Sequence, residues 1–356
     1  MTTDFDPAAL RARARALPKV LLHEHLDGGL RVATLFELLR ERGITPPAPD
    51  EATLAAWFDA NAHAGSLVKY LQGFALTVEA MSSPAAMERV AFEAAEDAQA
   101  DGAVLAEFRI APLLFETHGV AGEAAVEALL AGLARSALPL QQQSGLIVCA
   151  MRHLPPEETA RAARLAIKFM DRGVVGFDLA GAEHGHPPGE HAGALRLARE
   201  AGLALTLHAG EADAAERVVE AARLGARRIG HGVHLVDALR YPERGALLDE
   251  IKALGVHLEI CPTSNVHTGA AASIASHPIT ALWHAGVSLS YHTDNRLMSC
   301  ITQSSEAADL LAHTPLTERD LLAMAHQAAG HSFLPQAQRR QAQQTIAAAG
   351  EALQNR

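Results

Sequence analysis

Eight short apolar runs, each followed by a stretch of helical character, constrain this chain more than any other feature. The runs cover residues 20–25, 103–109, 146–152, 174–179, 204–208, 228–231, 256–261 and 287–292. Runs this short and continuously apolar suit parallel strands buried on both faces. Parallel strands need crossovers, and Ala/Leu-rich stretches such as 84–101, 155–172 and 214–224 supply them. Eight such repeats predict an α/β fold, a closed TIM (β/α)8 barrel. An open doubly wound sheet is the alternative, but it usually has fewer repeats and a glycine-rich first turn. Neither GxGxxG nor GxxxxGK[ST] occurs here. The chain has 356 residues, 49% of them apolar, enough to bury a large core. Barrels routinely run past about 250 residues as one unit, so a single domain over 1–356 is expected.

One connection is too long for a loop. Roughly 75 residues separate Gly28 from Gly102, far beyond ordinary connections. The interval holds helical segments near 33–41, 51–62 and 65–81. Insertions after a barrel strand sit at the C-terminal face, so a helical lid over about 30–100 is expected. The polar, helix-prone tail 336–356 should pack on the outside of the barrel.

The net charge of −11 argues against a nucleic-acid partner, which calls for a basic face. Residues 260–293 lack Asp, Glu, Lys and Arg, yet Pro262, Pro278 and four histidines make them a poor membrane span. Cys149, Cys261 and Cys300 form no CxxC pair and suggest a reducing compartment. The start MTTDFDPAAL has neither a basic n-region nor an apolar h-region, so a cytoplasmic protein is expected.

Nineteen histidines are many for this length, and several lie beside acids. Polar residues gather where the strands end. Residues i and i+2 of a strand share a face, so His23 and His25 point the same way, with Glu24 opposite. Two inward imidazoles are costly unless they hold a metal or are fully hydrogen-bonded. His208 ends the fifth run and Asp294 follows the eighth. Three imidazoles and a carboxylate from different strand ends suit Zn²⁺ with a position left for water. Each residue alone could be a satisfied core group or a cap. Glu211, three residues past His208, and His231, between two glycines, are candidate proton handlers. HExxH, the HxE…PCxxC signature and the GxSxG elbow are absent.

Eight blocks in order complete the pattern: LPKVLLHEHLDGGL (17–30), LAEFRIAP (105–112), CAMRH (149–153), GFDLAGAE (176–183), LTLHAGE (205–211), RRIGHGVHL (227–235), LEICPTSNVHTG (258–269) and SYHTDNRLMS (290–299). With them the sequence resembles the adenosine deaminase family of the amidohydrolase superfamily, most closely its bacterial members. The resemblance implies one zinc ion per subunit on His23, His25, His208 and Asp294. It implies Glu211 as the acid that protonates purine N1, and His231 as the residue that positions and deprotonates the attacking water. It places Asp27 on the ribose 5′-hydroxyl, the Gly181 amide on purine N3, and His25 close to the substrate. The implied reaction converts adenosine and 2′-deoxyadenosine, small-molecule purine nucleosides, to the 6-oxo products and ammonia.

Three positions depart from the family pattern, one of them, Leu105 in place of an aromatic, a packing change only. Asn295 stands where a second aspartate contacts purine N7, and its amide can donate there instead. Ala182 replaces an aspartate, which predicts a looser purine pocket. Asp27 stands where adenine deaminase relatives carry Glu, favouring a nucleoside over a free base. An aminodeoxyfutalosine-type nucleoside, adenine, and a non-catalytic purine-binding role are the alternatives.

Overall fold

The computed structural model describes residues 6–63, 67–140 and 143–355. Every anticipated run forms a strand: β1 (Lys19–Leu21), β2 (Ala103–Ile110), β3 (Gln143–Met151), β4 (Val174–Ala180), β5 (Ala204–Ala209), β6 (Arg228–His231), β7 (His257–Ile260) and β8 (Leu289–Tyr291). They lie in sequence order in one sheet, each parallel to the next, as a TIM barrel requires. β1 and β8 are shorter than the apolar runs that carry them.

Side chains close the seam between β1 and β8. The Gln303 amide donates to the carbonyls of Val20 and Tyr291 at 2.9 and 3.0 Å, and the Leu22 amide donates to His292 Nδ1 at 3.2 Å. Higher up, backbone bonding resumes. The Asp294 amide donates to the His23 carbonyl at 3.0 Å, and the His25 amide to the Asp294 carbonyl at 2.7 Å. The last inter-strand bonds of the barrel therefore run through three of the predicted metal ligands.

The barrel interior is ionic where the runs read as apolar. Arg109 is fully buried and pairs with Asp178 at 2.9 Å and Glu259 at 2.6 Å. Arg228 lies between Glu107 at 2.7 Å and Glu259 at 2.5 Å. Thr206 Oγ1 donates to Glu259 at 3.0 Å. Buried charges endure only when paired and hydrogen-bonded, and here cations and anions alternate along the axis. Two arginines outweigh the effect of burial on Glu259, which would otherwise raise it, and hold its carboxyl well below the usual range.

Around the sheet run the crossover helices. Pro84–Ala100 shows how its start is specified: Ser83 accepts from the Ala86 amide, and Pro84 occupies the first turn, where no N–H is needed. It packs on Gly122–Leu140 in the outer layer. Between β1 and this helix stand Val32–Glu41, Glu51–Ala62 and Leu67–Met81. The expected start of the third, at 65, lies outside the described residues. The tail helix Gln336–Gln354 packs against Glu318–His331; residue 356 lies outside the described residues. Among the described residues, no helix is long and apolar enough to cross a membrane.

Candidate active site

The C-terminal ends of the strands open on a cavity of about 260 Å³. His25, Asp27, Gly181, His208, Glu211, His231, Asp294 and Asn295 all line it, and His23 lies fully buried beneath. Phe74 and Val78 of the inserted helix Leu67–Met81 supply part of its apolar wall, with Leu114 and Met151. Ala182 is exposed and is not among the lining residues.

His23, His25, His208 and Asp294 converge, with one ligand atom from each lying within 4.8 Å of all the others. Two carboxylates orient the rings from behind. Glu259 lies 2.9 Å from His23 Nδ1, and Asp178 lies 3.1 Å from His208 Nδ1. A carboxylate at Nδ1 fixes the proton there and leaves Nε2 bare. The bare Nε2 atoms of these two rings turn to the same point: His208 Nε2 is 3.2 Å from His25 Nε2, and His23 Nε2 is buried without a hydrogen-bond partner. Burial, with the charge of Arg109, pushes His23 below its usual value, so the ring is neutral and able to ligate. Two nitrogens on one tetrahedral zinc, each about 2.05 Å from it, stand about 3.3 Å apart. The donor set and its spacing fit a metal ion. Glu24 is turned away from this cluster, as alternation predicts, and is held by Arg296 at 2.9 Å and by the Thr293 hydroxyl.

His231 reaches the site against the alternation of its strand. A Cβ built on Gly230 would stand 2.9 Å from His23 Cε1, so position 230 faces inward and 231 should face out. His231 instead adopts φ 64°, a left-handed conformation costing on the order of 1–3 kcal/mol. Its ring ends 5.0 Å from that of His23, and its Nε2 3.4 Å from Glu211 Oε2. The missing side chain at Gly230 leaves room for the His23 ring. Asp294 is also left-handed, at φ 62°.

Several residues escaped assignment from the sequence although most lie within its motif blocks. Glu183 accepts from the backbone amides of Glu211 and Ala212 at 3.0 and 2.6 Å and anchors the loop after β5. The Thr268 hydroxyl donates to Glu211 Oε1 at 2.9 Å, and the Ser264 hydroxyl to Asp294 Oδ2 at 2.6 Å. Charged residues inside otherwise apolar runs were the available signal for Asp178 and Glu259.

The segment carrying Ser264 rests on a buried acid. Glu306 Oε1 accepts from the Thr263 amide at 2.8 Å. Burial, reinforced by Asp309, pushes the Glu306 carboxyl up to about 8. The folded state thus keeps a proton that the unfolded chain releases near 4.5. The stability this provides is complete at low pH and falls by up to about 1.4 kcal/mol per pH unit as pH rises toward 8. Glu306→Gln keeps the acceptor and removes the titration. Urea unfolding at pH 5.5 and 8 should show a smaller pH dependence in the variant; identical dependence would rule the assignment out.

The adenosine deaminase family model matches residues 18–349 of the chain. The chain belongs to the adenosine deaminase family. Within it, the adenosine deaminase of Mycobacteroides abscessus is 42% identical over 347 residues, 94% of each chain. Among solved structures, the N6-mAMP deaminase of Arabidopsis superposes with a TM-score of 0.82 at 26% identity, over 95% of this chain and 99% of that one. The adenine deaminase of Arthrobacter aurescens superposes with a TM-score of 0.86 over 94% and 100%. At 23% identity, that likeness speaks for the fold alone.

Proposed function

We propose that this family member hydrolyses the 6-amino group of adenosine and 2′-deoxyadenosine, giving inosine, 2′-deoxyinosine and ammonia. The observation that carries the reading is the convergence of Glu211 and His231 on the His23–His25–His208–Asp294 cluster, in a chain 42% identical to an adenosine deaminase over 94% of its length. The metal we assign to the cluster is zinc, one ion per subunit, because three imidazoles and a carboxylate are its ordinary ligands. When bound, zinc lowers the pKa of water to about 7 and supplies hydroxide at neutral pH.

The protein's own groups do the rest. Thr268 and Asn265 hold Glu211 through Oε1, leaving Oε2 toward the cavity. In its protonated form Glu211 gives a proton to purine N1, which disrupts the aromatic ring and makes C6 electrophilic. His231 orients the attacking water. The water oxygen bonds to C6, the C6–N6 bond breaks, N1 keeps the proton from Glu211, and of the two water protons one leaves with the amino group as ammonia while the other restores Glu211. Asp27 takes the ribose 5′-hydroxyl, the Gly181 amide takes N3 and Asn295 donates to N7, while His25 borders the purine as well as ligating. The inserted helices, within 30–100 of a single 1–356 domain, act as a lid, since Phe74 and Val78 already line the cavity. All three cysteines are free, which fits a cytoplasmic enzyme.

The test is the ultraviolet absorbance change from 6-aminopurine to 6-oxopurine, with adenosine, 2′-deoxyadenosine and adenine in parallel. Turnover of both nucleosides, with adenine slow, is expected. Zinc-loaded protein inert toward all three would redirect the reading to another adenine nucleoside or to a purine-binding protein. Asp27→Ala should lower kcat/KM for adenosine about 10–100-fold, the cost of leaving a buried hydroxyl without its partner, and leave adenine nearly unchanged. Equal losses for both would remove Asp27 from the ribose.

A further inference from the structure

Of the hydrogen bonds behind His231, the scheme above uses the one from Asn265 to Glu211 and leaves the others without a role. The Ile279 amide donates to His277 Nδ1 at 3.0 Å. His277 Nε2 lies 3.3 Å from Asn265 Oδ1. Asn265 Nδ2 lies 3.0 Å from His231 Nδ1 and 3.3 Å from Glu211 Oε1. His277, Asn265 and His231 are all buried.

The polarity of this chain is set at its far end. A backbone N–H can only donate, so His277 Nδ1 must accept. Burial, with His231 nearby, pushes His277 down to about 3 and keeps the ring neutral. A neutral ring that is bare at Nδ1 carries its proton on Nε2. That N–H requires an acceptor, so Asn265 turns its carbonyl oxygen to His277 and its amino group to His231 and Glu211. The contact with Glu211 fits the same orientation, since Oε1, which accepts from the Thr268 hydroxyl, accepts from the Asn265 amino group as well. His231 Nδ1 therefore accepts, and its proton sits on Nε2, the atom nearest Glu211.

We propose that Asn265 and His277 are positioning residues that lock His231 as its Nε2–H tautomer, so that the ring presents an N–H and not a lone pair to the reacting centre. This rests on the role given to His231 above and narrows it to orientation of the attacking water by donation. Neither positioning residue is a predicted metal ligand, and His277 does not line the cavity. The effect of His277 passes through Asn265, which touches both the His231 ring and Glu211.

The tautomer can be read directly. Zinc-loaded full-length protein carrying ¹⁵N-histidine would be examined by NMR, with the His231 signals assigned by their absence in His231→Gln. The expected spectrum has a protonated Nε2 and a bare Nδ1. A proton on Nδ1 overturns the proposal. Kinetics give the second reading. His277→Leu should lower kcat for adenosine about 10–100-fold with KM nearly unchanged, as removal of an outer orienting partner does. His277→Gln, which can still donate to Asn265 Oδ1, should recover most of that loss. Equal activity of the Leu variant and the parent overturns the proposal, as does failure of Gln to differ from Leu. Should the Leu variant not fold, Asn265→Asp replaces it: an acceptor set opposite Nδ1 should draw the proton there, and an unmoved proton counts against the lock. Absence of adenosine turnover in the parent would defeat the deaminase reading, while the spectrum would still report the tautomer.

Discussion

Glu211→Gln should retain zinc and bind product inosine with nearly unchanged affinity while kcat for adenosine falls about 10²–10⁴-fold. The substitution is close to isosteric. The Gln carbonyl oxygen can still accept from Thr268 and Asn265, now 2.9 and 3.3 Å from Glu211 Oε1, so the loop stays in place. What changes is the group at the Oε2 position. An amide N–H can hydrogen-bond to purine N1 but cannot hand over its proton, so the ground state is held and the transition state is not. The loss amounts to about 3–5 kcal/mol in activation free energy. Steady-state kinetics, metal analysis and equilibrium dialysis with inosine together check it. Parental kcat in this variant would remove Glu211 from proton transfer, and lost inosine binding would mean that the pocket itself had collapsed.

Such a substitution could be chosen from sequence because strand periodicity marks strand ends well. His23 and His25 share a face by alternation, and His208 and Asp294 close two other runs, so their convergence follows once the barrel is drawn. His231 does not follow. Alternation places it outside the barrel, and only the left-handed turn at φ 64° brings it in. Backbone strain of this kind leaves no periodic signature. The ionic interior was hidden for another reason. Arg109, Asp178 and Glu259 sit inside runs whose overall character is apolar, and their compatibility depends on partners contributed by other strands. Glu183, Asn265 and His277 lie in loops or a short helix, where no period exists to assign a face. Gln303 is a further case: it lies in a helix after β8, yet its amide stitches β1 to β8, a role set by where the barrel happens to close.

Removal of the proposed metal should abolish activity and lower thermal stability together, because the residues we assign as its ligands are also the seam of the barrel. The Nε2 atoms of His25 and His208 stand 3.2 Å apart, and Asp294 Oδ1 lies 3.2 and 3.5 Å from His23 Nε2 and His25 Nε2. With Nδ1 of His23 and His208 committed to Glu259 and Asp178, the Nε2 lone pairs of these two rings and the Asp294 oxygen crowd one point with a single imidazole proton, that of His25, among them. A bound cation relieves that repulsion, and the backbone bonds between His23, His25 and Asp294 tie the relief to closure of the barrel. Binding at a thousand times the dissociation constant stabilises the folded state by about 4 kcal/mol. Dialysis against a chelator at neutral pH should therefore leave a folded protein that melts several degrees lower and does not turn over adenosine. Zinc should restore both properties. If the melting temperature is unchanged while activity is lost, the cluster holds its geometry without the ion, and the seam is secured by Gln303 and the ionic core beneath it.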